Sequence, residues 1–259
     1  MTADGTSTIV ILRDLHLGKE GEATGATLEI RAGEFAVVAG PSDGYKTELL
    51  FAAAGFKKPR QGTVQLFGID YYTQMFTDNF LARPRIGFVF QDPVFISGLD
   101  SIDNVGLPVF YDARLKPAEI DERLRDVFAA AGFSSYPQGV PDDLSPITRH
   151  KLGLARAWIR HPDFVVYDEP ARGLDQRGHE TIYSLIADYH AARKAEGKPC
   201  AGLIGCNDPH LGLDFADHFW VLRSGALTFK GDKNTIRARR ESLEKDYLQE
   251  LRNYENPGD

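Results

Sequence analysis

The chain has 259 residues, 42% of them hydrophobic and 26% charged, with a formal net charge of -7. This balance excludes disordered and fibrous classes, and the acidic excess argues against a nucleic-acid-binding module. Two cysteines, Cys200 and Cys206, cannot build a disulfide framework, and no apolar run approaches the ~18 residues a membrane span needs. The polar start, Met1 to Ser7, lacks a basic-then-apolar signal pattern. The sequence therefore predicts a soluble, cytosolic chain able to dock on a membrane protein, with one core and an insertion.

In chain order, Thr8–Leu17 reads as a strand, Ala26–Ile30 as a weakly alternating one and Phe35–Ala39 as a short buried one. A loop follows at Gly40–Tyr45, then a helix over Lys46–Ala54 that Gly55 can cap. Thr63–Leu66 and Ile86–Phe90 read as strands. Gln91–Leu144 holds Pro93, Pro108, Pro117, Pro137 and Pro141, and its stretch Ala118–Ala131 aligns Ile120, Leu124, Val127, Phe128 and Ala131 on one helical face. It reads as a mostly helical insertion. The alternation resumes with a helix at Thr148–Arg160, a strand at Phe164–Tyr167, a helix at Gly178–Lys194 and strands at Ala201–Cys206 and His218–Arg223. Strands interleaved with helices predict an α/β fold with a mainly parallel sheet. The charged end, Asn234–Tyr254, keeps an apolar stripe of Ile236, Leu243, Tyr247, Leu248 and Leu251. That stripe fits either subunit pairing or packing on its own core.

Two stretches carry chemistry. The first is Gly40-Pro41-Ser42-Asp43-Gly44-Tyr45-Lys46-Thr47, a loop between a buried strand and a helix N-terminus. Backbone amides and the helix dipole make such a loop an anion site. Lys46 can reach phosphates and the Thr47 hydroxyl can ligate magnesium. Tyr45 stands where a phosphate loop places glycine. If the backbone there is left-handed, tyrosine costs roughly 1–2 kcal/mol. Alone, this stretch reads equally as an ordinary surface loop with a lysine. The second is Phe164-Val165-Val166-Tyr167-Asp168-Glu169-Pro170, an apolar strand ending in two carboxylates at the ligand-binding edge of an α/β sheet. Asp168 suits magnesium and Glu169 suits a general base; a solvated acidic pair is the equal alternative.

Taken in order with further motifs, the chain resembles the ATP-binding subunits of ABC transporters from about Thr8 to Asp232. Ile86-Gly87-Phe88-Val89-Phe90-Gln91-Asp92-Pro93 resembles the Q-loop. Ala155-Arg156-Ala157, His161-Pro162 and Asp168-Glu169-Pro170 fit the run from signature helix to Walker B. Arg172-Gly173-Leu174-Asp175 resembles the D-loop, and Ala216–Leu222 with Gly225 the closing hairpin. Within the family, Ser101–Pro108 is similar to a segment of the lipid-transporting, MCE-associated branch, and lipoprotein-release and macrolide-export relatives carry similar words.

The resemblance implies a P-loop NTPase core at 1–90 and 149–231. It adds a flanking antiparallel β-sheet, a helical insertion at 91–148 bearing the signature, and a charged helical tail at 232–259. It implies ATP and magnesium as cofactors. Gly40, Ser42, Gly44, Lys46, Thr47 and Asp168 would bind nucleotide, Thr47, Gln91 and Asp168 would hold the metal, and Glu169 with Gln91 would be catalytic. Four elements depart from the family. Tyr45 replaces glycine; the signature reads Leu144-Ser145-Pro146-Ile147; Asn207 stands at the switch histidine; and Gly18–Gly25 offers no aromatic residue for adenine. Pro146 removes an amide donor and Asn207 cannot carry a proton. Losing the adenine stack would cost ~1–3 kcal/mol.

The expectation is therefore an ABC ATPase subunit with an eroded site. It would sit peripherally on the cytoplasmic face of the inner (plasma) membrane, coupling ATP-driven closure to a permease, with lipid as first cargo. An intact second ATP-binding subunit would complete a heterodimer, with a homodimer as the other possibility and no nucleic-acid partner. The competing class is a non-catalytic scaffold. Cys200, Cys206, His210 and His218 fit no metal spacing. Arg237, Arg239 and Arg240 read as a solvated helix face, and Phe95, Ile96 and Leu99 as a docking loop.

Overall fold

A computed structural model of the chain describes residues 7–17, 25–41, 45–73 and 83–255. It has two compact units, Met1–Arg83 with Ala201–Asp259, and Pro84–Cys200.

The first unit holds an antiparallel sheet and a mixed one. β1 (Thr8–Leu15) pairs antiparallel with β2 (Ala26–Arg31) and β4 (Thr63–Leu66), and β5 (Ile69–Asp70) extends β4. In β2 buried Ala26, Leu28 and Ile30 alternate with exposed positions, so one face is solvated. β3 (Phe35–Ala39) and β8 (Ala201–Cys206) are buried at every residue and pair in parallel, which matches their unbroken apolar runs. On its other side β3 pairs in parallel with β9 (His218–Arg223), and β9 turns back into antiparallel β10 (Ala226–Asp232). α1 (Lys46–Ala53) packs on β8: a side chain at Gly205 would meet Leu50 Cδ1 at 2.7 Å. The last element, α6 (Lys233–Glu255), bends at Arg239. Its Ile236, Leu243 and Tyr247 are buried in their own unit, whereas Leu248 is exposed. Most of the apolar stripe is thus core.

In the second unit β6 (Ile86–Val89) and β7 (Phe164–Asp168) form a parallel pair. Four helices accompany them: α2 (Ser101–Phe110), α3 (Pro117–Ala130), α4 (Pro146–Trp158) and α5 (Gln176–Ala195). Local chemistry sets their starts. Asp100 accepts the Asp103 amide at 2.7 Å and Asp175 the Gly178 amide at 2.8 Å. Pro117 and Pro146 sit in the first turn of α3 and α4, where a missing N–H leaves no helix bond unmade. Leu124, Val127, Phe128 and Ala131 are buried as their spacing predicts, and Ile120 is half-buried. A ladder stiffens the core. The Trp158 indole N–H donates to the Tyr167 hydroxyl at 3.0 Å. That hydroxyl donates to His190 Nε2 at 3.0 Å, and His190 Nδ1–H donates to the Cys200 carbonyl at 3.1 Å. Burial drives the His190 pKa down to about 4, so the ring stays neutral and keeps this tautomer.

Beyond the sequence expectations, the structure adds β5, β10 and the helical identity of Ser101–Phe110, in which Pro108 lies inside the helix. Among the described residues, no helix is long and apolar enough to cross a membrane.

One charge pair joins β9 to the turn before β3. His218 Nε2 lies 3.4 Å from Glu34 Oε2. The hydrogen bond to Glu34 raises the His218 pKa above its usual value. Burial pushes Glu34 up most strongly of any single cause, but the bond from His218, the Arg31 amide and the charges of His218 and Arg31 together hold the carboxyl below its usual range. A histidine raised in the folded state contributes its full stability below the unfolded value of about 6.5 and loses it as pH rises through the folded value. The stability gap between the native chain and His218→Gln, read as urea midpoints, should be widest near about pH 5.5 and shrink above about pH 7. A gap that holds constant over that range would contradict the linkage.

Candidate functional site

The phosphate-loop stretch lies in the first unit. Ser42, Asp43 and Gly44 are outside the described residues, and Gly40, Pro41, Tyr45, Lys46 and Thr47 are within them. Gly40 leaves β3 with its amide on the Cys206 carbonyl at 3.2 Å. A side chain there would meet the Leu222 carbonyl oxygen at 2.3 Å, so only glycine lets the chain pass between the ends of β8 and β9. Tyr45 precedes α1 with φ 65° and ψ 20°, the left-handed conformation. It is the backbone that glycine adopts without strain, and tyrosine holds it at roughly 1–2 kcal/mol.

Lys46 begins α1, as the loop-to-helix pattern predicts, but its ammonium turns back into the protein. Lys46 is 3% exposed. Nζ donates to the Gly40 carbonyl at 2.7 Å, to the Pro41 carbonyl at 2.8 Å and to Asn207 Oδ1 at 2.7 Å. An ammonium has three hydrogens, and these three acceptors are neutral oxygens. A phosphate oxygen is a stronger acceptor for ammonium than any of them, so the group fits a phosphate once one of these bonds is exchanged. Thr47 is half-buried beside it. Sequence reasoning placed Asn207 at the switch histidine but gave no sign that it grips Lys46.

The carboxylate stretch lies in the second unit. β7 delivers Asp168 at its carboxyl end, 2% exposed. Gln91, just past β6, donates its amide N–H to Asp168 Oδ1 at 3.0 Å. Arg172 Nη1 donates to Gln91 Oε1 at 2.5 Å, fixing which way the Gln91 amide faces. Glu169 is half-buried with φ 41°, and its carbonyl accepts the Arg172 amide at 2.9 Å, closing a tight turn. A left-handed non-glycine residue directly after Asp168 is the kind of strain that collects at functional sites. The structure therefore joins Gln91 to Asp168 and adds Arg172, whose role no motif signalled. His150 of α4 is buried, which lowers its pKa, and its Nδ1–H donates to the Pro170 carbonyl at 2.8 Å. Asp175 caps α5 with its side chain.

The loop after Gln91 is held to α4. Arg149 reaches the Pro93 carbonyl at 3.4 Å, Arg156 reaches the Val94 carbonyl at 2.7 Å, and the Arg156 guanidinium lies 4.9 Å over the Phe95 ring. Buried Asn104 bonds the Ile96 amide and the Ile96, Leu99 and Asp100 carbonyls. Val94 and Ile96 remain exposed and Leu99 half-exposed. The residues considered for a metal have other work. Both cysteines are buried, His218 pairs with Glu34, and His210 lies 3.2 Å from Glu244. Arg240 bonds Glu244, Asp214 and the His210 carbonyl.

Tyr45→Gly and Tyr45→Ala both remove the ring, but only glycine removes the left-handed strain. The glycine variant should exceed the alanine variant by about 1 kcal/mol in unfolding free energy. Equal stabilities would show that the loop relaxes without strain.

Residues 23–172 match the ABC transporter family. The phosphonates import ATP-binding protein PhnC 2 of Synechococcus sp. (strain JA-2-3B'a(2-13)) is 29% identical over 220 residues, which cover 82% of this chain and 80% of that protein. The chloroplastic protein TRIGALACTOSYLDIACYLGLYCEROL 3 of Arabidopsis thaliana is 28% identical over 236 residues, covering 86% of this chain and 68% of that protein. The ATP-binding cassette MJ0796, solved as a post-hydrolysis dimer bound to ADP and Pi, shares the fold. Its TM-score is 0.75 at 24% identity, covering 87% of this chain and 99% of that chain. With its α/β core, antiparallel sheet, helical insertion, phosphate-loop motif and carboxylate motif, this chain belongs to the ABC transporter family as an ATP-binding domain.

Proposed function

We propose that the chain is the ATP-binding subunit of a membrane ABC transporter whose own phosphate loop is impaired, and that it works peripherally beside a permease and a second ATP-binding subunit. The observation that carries this reading is the withdrawn Lys46 ammonium beside a left-handed Tyr45. Family membership supports ATP as the ligand, and the strand-end carboxylates support turnover.

Bound ATP and magnesium would supply the electrophilic phosphoryl group and neutralise its charge. This chain's residues do the rest. Lys46 exchanges a neutral carbonyl for a phosphate oxygen. Ser42 and Gly44, which lie outside the described residues, would offer backbone amides, while Gly40 shapes the loop. Thr47, Gln91 and Asp168 would hold magnesium, with Arg172 orienting the Gln91 amide and yielding its oxygen to the metal. The Glu169 carboxylate takes the proton of the attacking water. At the signature, Pro146 in the first turn of α4 leaves the fold intact and deletes one amide a partner's phosphate would use. A homodimer would pair two impaired loops with two impaired signatures. An intact partner would instead give two unequal sites, and the copy number of this chain in the native complex tests that. Lipid is the proposed cargo, from the Ser101–Pro108 resemblance and the galactolipid in the Arabidopsis relative's name. The phosphonate in the Synechococcus relative's name favours a small anion instead.

Glu169→Gln keeps the shape and removes the base. It should abolish ATP hydrolysis by the chain in its native complex while nucleotide affinity changes less than about threefold. In the same assay lipid, and not phosphonate, should stimulate the native complex. Full hydrolysis by Glu169→Gln would remove Glu169 from the mechanism. A native chain that neither binds nor hydrolyses ATP would favour the scaffold reading, which the withdrawn lysine also suits.

A further inference from the structure

The grip on Lys46 does not end at Asn207. Asn207 follows β8 directly, and its carbonyl accepts the Tyr247 hydroxyl at 2.5 Å. Tyr247 lies in α6, is 2% exposed and comes 40 residues later in the chain. Asn207 is therefore held at both ends: α6 takes its backbone oxygen, and Lys46 takes its side-chain oxygen. The residues after Asn207 are tied to the same helix. Arg240 donates to the His210 carbonyl at 3.0 Å and to the Asp214 carboxylate, and its Nε is braced by Glu244 at 3.0 Å. Glu244 also accepts from His210 Nδ1 at 3.2 Å. Asp208 Oδ1 accepts the His210 amide at 2.9 Å and tightens the turn between the two anchors.

From this we infer that α6 controls the charge offered to the phosphate: Tyr247 positions Asn207, and Asn207, with the Gly40 and Pro41 carbonyls, keeps the Lys46 ammonium engaged within the protein. Tyr247 is a positioning residue, acting through Asn207 and touching neither nucleotide nor reacting atoms. The inference deepens the nucleotide-site reading and rests on it for its functional meaning. Its physical logic is competition. A buried ammonium must keep its hydrogen bonds, and a bond to a charged group is among the stronger ones a protein makes. Nucleotide must displace Asn207 or a loop carbonyl before Lys46 can serve. A movement of α6 that shifts Tyr247 would release the amide and with it the lysine. A partner subunit could exert such control through exposed Leu248, one residue beyond Tyr247.

The test reads Lys46 directly and does not depend on nucleotide. The full chain is acylated with a trace of acetic anhydride, and labelling of Lys46 is compared by mass spectrometry with exposed Lys245 as internal reference. Relative to the native chain, Asn207→Ala and Tyr247→Phe should each label Lys46 at least about tenfold faster with Lys245 unchanged, consistent with one lost charge-assisted bond. The double variant should label no faster than Asn207→Ala, because the two act in series. Arg240→Ala, which frees the same segment without touching the Tyr247 ring, should move Lys46 in the same direction. Native-like labelling in both Tyr247→Phe and Arg240→Ala would overturn the inference, as would additive effects in the double variant. Faster Lys46 labelling in the variants with no protection by magnesium ATP in any of them would uphold the inference and refute the nucleotide reading instead.

Discussion

The buried ammonium of Lys46 is the constraint around which the first unit is arranged. A charge that is 3% exposed must be hydrogen-bonded where it lies. Among the described residues, three oxygens meet it, two from its own loop and one from Asn207. To bring those carbonyls inward the chain leaves β3 through Gly40, packed against the Leu222 carbonyl, and re-enters the helix through left-handed Tyr45. The roughly 1–2 kcal/mol held at Tyr45 is comparable to a single hydrogen bond to a charged group. The clasp is thus strong enough to sustain the strain beside it.

The second unit is organised by a different restraint, the orientation of one amide. Gln91 gives its N–H to Asp168 and its oxygen to Arg172, so neither end is free to flip. The loop beyond it is fastened to α4 by Arg149 and Arg156, and α4 is fastened to the Pro170 carbonyl by neutral His150. The ladder from Trp158 through Tyr167 and His190 to the Cys200 carbonyl ties β7, which carries Asp168, to its neighbours. Carboxylates proposed to meet metal and water would need that anchoring, because small misplacements cost large factors in rate.

Much of the fold was legible because its central strands, Phe35–Ala39 and Ala201–Cys206, are short, continuous apolar runs with two covered faces, and others alternate or are apolar between polar ends. Phe35–Ala39, Thr63–Leu66, Ala201–Cys206 and His218–Arg223 appear with the boundaries their composition predicts. β10 was harder to read, since Ala226–Asp232 is mostly polar or exposed. The start of α4 moved two residues upstream of Thr148 because Pro146 suits a first helical turn. At the candidate site, Lys46, Gln91, Asp168 and Glu169 were legible through motif order. Arg172, His150 and Tyr247 were not, because their contacts join segments up to 81 residues apart and follow no local period. Ser42 and Gly44 lie outside the described residues.

These features bear on one question of assembly. On the proposed reading, a chain whose phosphate-loop lysine is engaged within the protein, and which carries Pro146 at the signature position, would gain most from a partner lacking both features. The mass of the native complex, measured with its subunits intact, tests that account most directly. The account predicts one copy of this chain beside one copy of a different ATP-binding subunit. Two copies of this chain with no second ATP-binding subunit would contradict it.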